Sequence, residues 1–426
     1  MPAPAPRIDH MALRVSGLCF LVLFLEGYDV SAMGYAMPSL IEAWHTSAPQ
    51  FTATVTLGAV SMLVGSLCAG VLGDRLGRKP VLIGCVAIFG TFSLLIAWCT
   101  GLGSLTVMRF LACLGLGGGV PLTIALATDY APMRNPRRLV ILMSTGLAVG
   151  STAGGLIARQ FVTSFGWEAI FIFGGLLPML LVPLLVVFLP ESHALRAEPV
   201  SARRASPLEL FRHGLARQTV VLWIIDFCNM VCAFLILVWL PAILHRQGLS
   251  LADAIFASTM YAFGAIGGGV IMAPIADRLG VERVVACVLC LGAGCMLLFG
   301  TLALPYAELC VVIGSVGIGI GGGQHGINAV SGAIYPAAIR ATGAGWALGI
   351  GRAGQVVGPL GGGLLLGLGW QPQDIFLAAS GPAICVAFGM ATLAYLRSCE
   401  DRNATAMAPR LASAMQSDIS SLRHRR

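Results

Sequence analysis

Apolar residues in this chain come in long unbroken runs separated by short charged breaks, with no sustained alternation of the kind a half-buried strand shows. Twelve runs stand out, with cores near 15–37, 53–73, 80–99, 104–127, 139–160 and 169–189, then 218–240, 253–275, 283–303, 309–332, 341–365 and 374–395. A segment of about 20 apolar residues crosses the hydrocarbon core of a bilayer as a helix. In lipid, every backbone amide must be satisfied within its own segment or a closed barrel. The pattern therefore predicts an all-α membrane protein of twelve transmembrane helices in two six-helix halves.

The halves repeat one another. Gly70-Val-Leu-Gly-Asp74-Arg75-Leu-Gly77-Arg78-Lys79 returns in degenerate form as Ala273-Pro-Ile-Ala-Asp277-Arg278-Leu-Gly280. Pro38 ends the first apolar run and Pro241, 203 positions on, ends its partner; Gly115 to Gly119 recurs as the glycine run from Gly317. Duplication of this length is how many secondary transporters are built, with the substrate site at the interface of the copies. The expected division is 1–190 for the first half, 191–217 for a central loop, 218–396 for the second half and 397–426 for a small, polar, disordered tail. Within the central loop, Pro207 to His213 is expected to form a short amphipathic helix at the membrane surface, with Leu208, Leu210 and Phe211 on its apolar side.

Composition agrees: 11% of residues are charged, against roughly 25% in soluble domains, and the mean hydropathy is +0.86. The formal net charge of +7 is a topology signal. With the N-terminus inside, all but four of the 26 Lys and Arg fall on the cytoplasmic side, where short loops collect them. Both termini are then cytoplasmic and the chain is a multi-pass protein of the inner membrane. The basic residues are scattered over separate loops and a tail, which argues against a nucleic-acid partner. Arg7 and Arg14 before an apolar run resemble the start of a signal peptide, but the run continues past Glu26 and Asp29, and cleavage would leave the second half's first helix without a counterpart. The thirteen cysteines sit mostly within spans as small apolar fillers. Cys287 and Cys290 form a C-x-x-C with no second ligand pair, so no metal and no cofactor are expected. Asn403-Ala-Thr405 matches a glycosylation acceptor on the wrong side of the membrane.

In the loop Gly70, Asp74, Arg75, Gly77 and Arg78, charge meets the ends of two helices. Ion pairs and helix-end dipoles there can latch the helices against a neighbour and gate a rocking motion, a role its copy Asp277-Arg278 would share. On this loop and its copy, on Arg109 before a glycine-rich run, and on twelve spans in two sixes, the chain resembles the major facilitator superfamily over nearly its whole length. Within it, Glu26-Gly-Tyr28-Asp29, Arg109-Phe110 with Gly115 to Pro121, Gly166-Trp167, and Tyr335-Pro336 followed by Arg340 to Arg352 are similar to the aromatic acid:proton symporters. That family usually has Asp where Glu26 stands and Asn where Leu122 stands.

Glu26 and Asp29 are spaced i, i+3 and share a helix face, and two acids close together in low dielectric cannot both stay ionised. One of them is expected to carry the transported proton, since an ionisable group inside a membrane is expensive and by default functional. Arg109 and Arg352 are the basic residues well inside spans. A guanidinium matches a carboxylate with two hydrogen bonds, so Arg352 is assigned to the substrate carboxylate, supported by the role the resemblance implies for it. Arg109 is assigned to Glu26 or Asp29. The two roles can be exchanged on this sequence. Gln324, His325 and Asn328 add polar groups in the tenth span, and Tyr28, Tyr35 and Trp239 are candidate rings for an aromatic ligand, against the ordinary reading of such residues as packing. Asp226 and Asn229 form a secondary polar pair in the seventh span. Gly317-x-Gly319-x-Gly321-Gly322 matches a dinucleotide fingerprint but lies inside a span with no strand before it.

The function expected is a proton-coupled importer of an aromatic or related organic carboxylate, working by alternating access as a monomer, with the organic anion, protons and the lipid bilayer as its partners. The alternatives are an exporter and a membrane sensor. No nucleophile and base arrangement of an enzyme is present.

Overall fold

The computed structural model describes residues 10–130, 136–191, 207–212, 215–302, 304–335, 339–371 and 373–396. Among them are twelve helical spans and no strand. The first six are α1 (His10–Ala43), α2 (Thr52–Leu76), α3 (Arg78–Ile96), α4 (Leu102–Tyr130), α5 (Pro136–Phe165) and α6 (Glu168–Phe188). Then come α7 (Ala216–Arg246), α8 (Leu251–Leu279) and α9 (Val281–Thr301), followed by α10, which runs through Tyr306–Val316, Gly317–Gly322 and Gly323–Ile334. Last are α11 (Arg340–Gly367) and α12 (Gln373–Leu396). The tail from 397 and most of the central loop lie outside the described residues.

Ten of the spans are long and apolar enough to cross a membrane. The other two, α5 and α11, occupy equivalent places in the two halves. Each of them lies against the opposite half, α5 on α8 and α11 on α2. A side chain at Gly155 would come within 1.9 Å of Thr259, and one at Gly363 within 2.0 Å of Thr52. Small residues are what allow membrane helices to approach this closely.

Three differences from the sequence expectation are local. Pro38 and Pro241 lie inside α1 and α7, which continue to Ala43 and Arg246; neighbouring helices compensate the hydrogen bond each proline omits. The run Gly317–Gly322 is a π-helical turn, a widened form often found at functional sites. Pro207–Phe211 is a 3-10 turn in which Leu210 is fully buried while Phe211 is exposed. Its Leu210 carbonyl accepts the Thr219 hydroxyl at 3.0 Å, so the turn is tied to α7 and not laid on lipid alone. Gly77 and Gly280, 203 positions apart, both take positive φ (103° and 89°) at the α2–α3 and α8–α9 corners. The duplication is thus visible in backbone conformation.

Buried apolar residues fall into three clusters. One unites both halves at the end of the bundle away from the N-terminus, from Tyr35, Met37 and Leu40 of α1 to Trp239 and Leu244 of α7 and Ile255 of α8. The other two are at the N-terminal end, and each belongs to one half: Val15, Leu82, Leu126 and Leu185 in one, Leu222, Val285, Val330 and Met390 in the other. The halves are therefore fused at the far end and separate at the near end.

Polar contacts reinforce the far-end closure. His245 faces Glu42 at 2.8 Å through Nε2 and the Leu249 carbonyl at 2.9 Å through Nδ1. The guanidinium of Arg159 on α5 lies 4.3 Å from the centre of the Phe256 ring on α8, a cation–π contact across the halves. Replacing Glu42 with Gln is expected to loosen the far end by under about 1 kcal/mol, since the pair is partly exposed. A cysteine introduced at Val238 should then label faster from that side; an unchanged rate means the apolar contacts alone hold the closure.

Candidate functional site

Three acids and two arginines are buried in the middle of the bundle: Glu26, Asp29, Asp226, Arg109 and Arg352 are each at most 6% exposed. Burying an ion is costly unless a partner compensates it. The partners divide these residues into two kinds.

Asp29 is saturated. Arg109 of α4 donates from Nη1 to Asp29 Oδ1 at 2.7 Å and from Nη2 to the Asp29 carbonyl at 3.0 Å, and Ser93 of α3 donates to Oδ2. The first half thus holds a pair tying α1, α3 and α4 together. Arg109 and Cys113 also line a cleft whose other walls include Met33 of α1, Met62 of α2, Phe234 and Val238 of α7 and Pro359 of α11, so the pair borders the space between the halves. Of the two partners proposed for Arg109, the structure shows Asp29. Ser93 was missed by sequence reasoning, where it is one hydroxyl in an apolar span.

Glu26 is different. Both of its carboxylate oxygens are buried, and no side chain donates to either. One helical turn from Asp29, it turns toward Gly119 of α4, where a side chain would lie 2.1 Å from Oε2. Glu26 and Asp29 thus share a helix face and act on one another electrostatically, but do not share hydrogen-bond partners. Opposite, from the second half, Arg352 of α11 leaves Nε and Nη1 buried and unpartnered. Glu26 and Arg352 act on one another electrostatically. Two opposite charges, one from each half, thus stand buried and incompletely satisfied.

In the second half, a network joins α7 and α10. Gln324 Nε2 donates to Asp226 Oδ1 at 2.7 Å and to Asn328 Oδ1 at 3.1 Å; Asn229 Nδ2 donates to Gln324 Oε1 at 2.6 Å and to the Ile320 carbonyl at 3.2 Å. That carbonyl lies in the π-helical turn. The Asp226 carboxylate is packed on Gly351, next to Arg352. His325 stands apart, its ring against Gly269 of α8.

The three aromatic candidates are packing residues in this conformation. Tyr28 donates to the Ile170 carbonyl at 3.0 Å, Tyr35 to the Ser151 carbonyl at 3.2 Å, and Trp239 Nε1 to the Pro359 carbonyl at 2.9 Å; all three are buried. Trp346 stacks on Trp223 with ring centres 5.8 Å apart, away from these.

At the near end, the side chains of Asp74 and Asp277 lie outside the described residues, and Arg75 and Arg278 are exposed. Gly70 is in α2. Arg78 donates to Asp129 Oδ2 at 2.7 Å and to the Ala125 carbonyl at 3.0 Å, both on α4, and Lys79 Nζ to the Val186 carbonyl of α6 at 2.8 Å. These contacts fasten α3 to α4 and α6 within one half, not to the other half. Arg78→Ala is expected to cost about 1 kcal/mol in that half, discounted for its partial exposure, read as a lower Tm in detergent. Among the described residues no group of His, Cys, Asp and Glu is arranged to hold a metal.

The Major Facilitator Superfamily model matches residues 19–258 and 222–426. A gallate transporter of Pseudomonas putida is 33% identical over 402 residues, covering 88% of this chain and 90% of the relative. A 3-(3-hydroxy-phenyl)propionate transporter of Escherichia coli is 35% identical over 390 residues, covering 90% and 94%. Among solved structures, a nucleoside transporter superposes with a TM-score of 0.72 at 14% identity, covering 90% of this chain and all of that one. Two repeated six-helix halves, joined at one end around buried charges, are the architecture of a transporter and not of an enzyme, and the chain belongs to the Major Facilitator Superfamily.

Proposed function

We propose that this protein imports an aromatic or related organic carboxylate together with a proton, by alternating access, as a monomer in the inner membrane with both termini in the cytoplasm. The observation that carries the reading is the Glu26 and Arg352 pair: ionisable groups of opposite sign on opposite halves, both buried, with no side chain donating to Glu26 and with Arg352 Nε and Nη1 unpartnered. A carboxylate seated on Arg352 neutralises the guanidinium that Glu26 otherwise feels, so Glu26 must take a proton before the halves can close over it. Anion and proton then load together. Asp29 and Arg109, already paired, remain beside that step as the fixed wall of the N-terminal half. The aromatic character of the substrate is supported by relatives named for gallate and hydroxyphenylpropionate. With the near end cytoplasmic, as the distribution of Lys and Arg favours, the separated near-end clusters correspond to an inward-open carrier.

The test is uptake of labelled hydroxybenzoate into proteoliposomes carrying an imposed pH gradient, acidic outside, with benzoate, phenylpropanoids and small aliphatic acids as competitors. Accumulation above the external concentration, abolished by a protonophore, is expected. Binding without accumulation would make the protein a sensor, and efflux driven by the same gradient would make it an exporter.

A further inference from the structure

We infer that Asp226, on α7 in the second half, is a second proton-binding carboxyl, separate from Glu26, and that its proton is carried with the substrate. The inference rests on the transport reading above and adds to it a stoichiometry.

The amide hydrogens around Asp226 are all engaged. Gln324 uses both amide hydrogens, on Asp226 Oδ1 and Asn328 Oδ1; Asn229 uses both of its own, on Gln324 Oε1 and the Ile320 carbonyl. Asn229 Oδ1 is left buried with no donor, in a residue with no exposure at all. Asp226 lies i, i+3 from Asn229 on the same helix face. Its second oxygen rests on the Gly351 backbone.

Among the described residues no cation is paired with Asp226. From α10 come the amides of Gln324 and Asn328, while His325 is turned to Gly269 of α8. From α11, Arg352 is coupled to Glu26. From α1 come Glu26 itself and Asp29, which Arg109 occupies. From α8 and α12 come Tyr261 and Cys385, coupled to the α7 thiols Cys232 and Cys228 and not to the acid. Glu209 and Arg212 lie at the near end of α7, and His245 is engaged with Glu42 at the far end. A buried carboxylate with one amide partner and no counter-ion is expensive. One proton on the carboxyl removes that charge while Gln324 Nε2 stays within reach of Oδ1. The bond formed is a single O–H, its proton taken from the aqueous side.

Glu26 alone gives one proton per monovalent anion, an electroneutral cycle. With Asp226 loading as well, each cycle moves one net positive charge inward, so uptake responds to membrane potential. The test uses the full chain in proteoliposomes with labelled hydroxybenzoate, driven either by a pH gradient at zero potential or by an inside-negative potassium diffusion potential at equal pH. For the wild type, potential alone is expected to raise steady-state accumulation roughly tenfold for each ~59 mV, the value for one charge. In Asp226→Asn the ratio of potential-driven to pH-driven accumulation should fall to near zero. A second variant, Gln324→Leu, removes the amide that donates to the Asp226 carboxylate and should shift the pH profile of potential-driven uptake to higher pH. A wild type driven by the pH gradient but indifferent to potential overturns this inference and leaves the transport reading intact. So does Asp226→Asn with a wild-type potential response, or Gln324→Leu with a wild-type pH profile. A wild type that answers to neither gradient overturns the transport reading itself.

Discussion

Arg352→Ala is expected to abolish carboxylate uptake, by 100-fold or more, while leaving the thermal stability of the protein unchanged or higher. Charge-assisted hydrogen bonds contribute about 1.5–3 kcal/mol each, so losing a two-pronged contact to the substrate accounts for that factor. Arg352→Lys should recover little of it, because an ammonium offers a point charge where a carboxylate fits a planar fork. Stability should not fall because Arg352 leaves Nε and Nη1 buried and unsatisfied, and a residue kept for function at a cost to the fold is one whose removal relieves that cost. Glu26→Gln is the companion: it imitates the protonated acid permanently, so substrate exchange across the membrane should persist while accumulation driven by a pH gradient disappears. A variant of Arg352 that transports at the wild-type rate, or of Glu26 that still accumulates substrate, removes that residue from its role.

The opposite signature is expected of Arg109. Arg109→Ala leaves Asp29, with no solvent exposure, as an uncompensated buried charge, a loss that costs about 3–5 kcal/mol when one partner of a buried pair is removed. The variant should be strongly destabilised in detergent, with Tm lowered by many degrees. The double variant Arg109→Leu with Asp29→Leu should recover much of that stability, because replacing both partners by apolar groups of similar size is often nearly neutral. It should still fail to transport if the pair bounds the cavity as a fixed wall. Equal stability of the single and double variants would show that Asp29 is neutral in the folded protein and that Ser93 and Arg109 are not compensating a charge. The two arginines thus separate by experiment: one is dispensable to the fold and required for transport, the other is required for both.

The sequence already distinguished these five charged residues from the rest of the chain, because an ionisable group in a run of apolar residues stands out by cost alone. It did not distinguish their partners. Spacing of i, i+3 placed Glu26 and Asp29 on one helix face, yet α3 and α4 supply Asp29 with Ser93 and Arg109 while Glu26 turns to the α4 backbone at Gly119 and feels Arg352 from the other half. No one-dimensional pattern encodes which of two neighbouring acids a third helix satisfies. Similarly, Tyr28, Tyr35 and Trp239 look like ligand-stacking rings until their polar atoms are seen to end on the carbonyls of Ile170, Ser151 and Pro359. The loop from Gly70 announced itself as a latch against a neighbour, and only packing shows which neighbours Arg78 and Lys79 hold: α4 and α6 of their own half.

By itself the sequence determined twelve helices, their pairing into two related halves and the set of buried charges, because lipid imposes length and internal hydrogen bonding on every span and makes each charge within one conspicuous. The tertiary structure decided what no span carries alone. Glycines at 155 and 363 let opposite halves meet at one end, the clusters at the other end remain apart, and packing between helices leaves Glu26 and Arg352 incompletely satisfied while it completes Asp29. The physical reason is that satisfaction of a buried polar group depends on which atoms of distant segments come within about 3 Å of it, and that is fixed only when the helices pack.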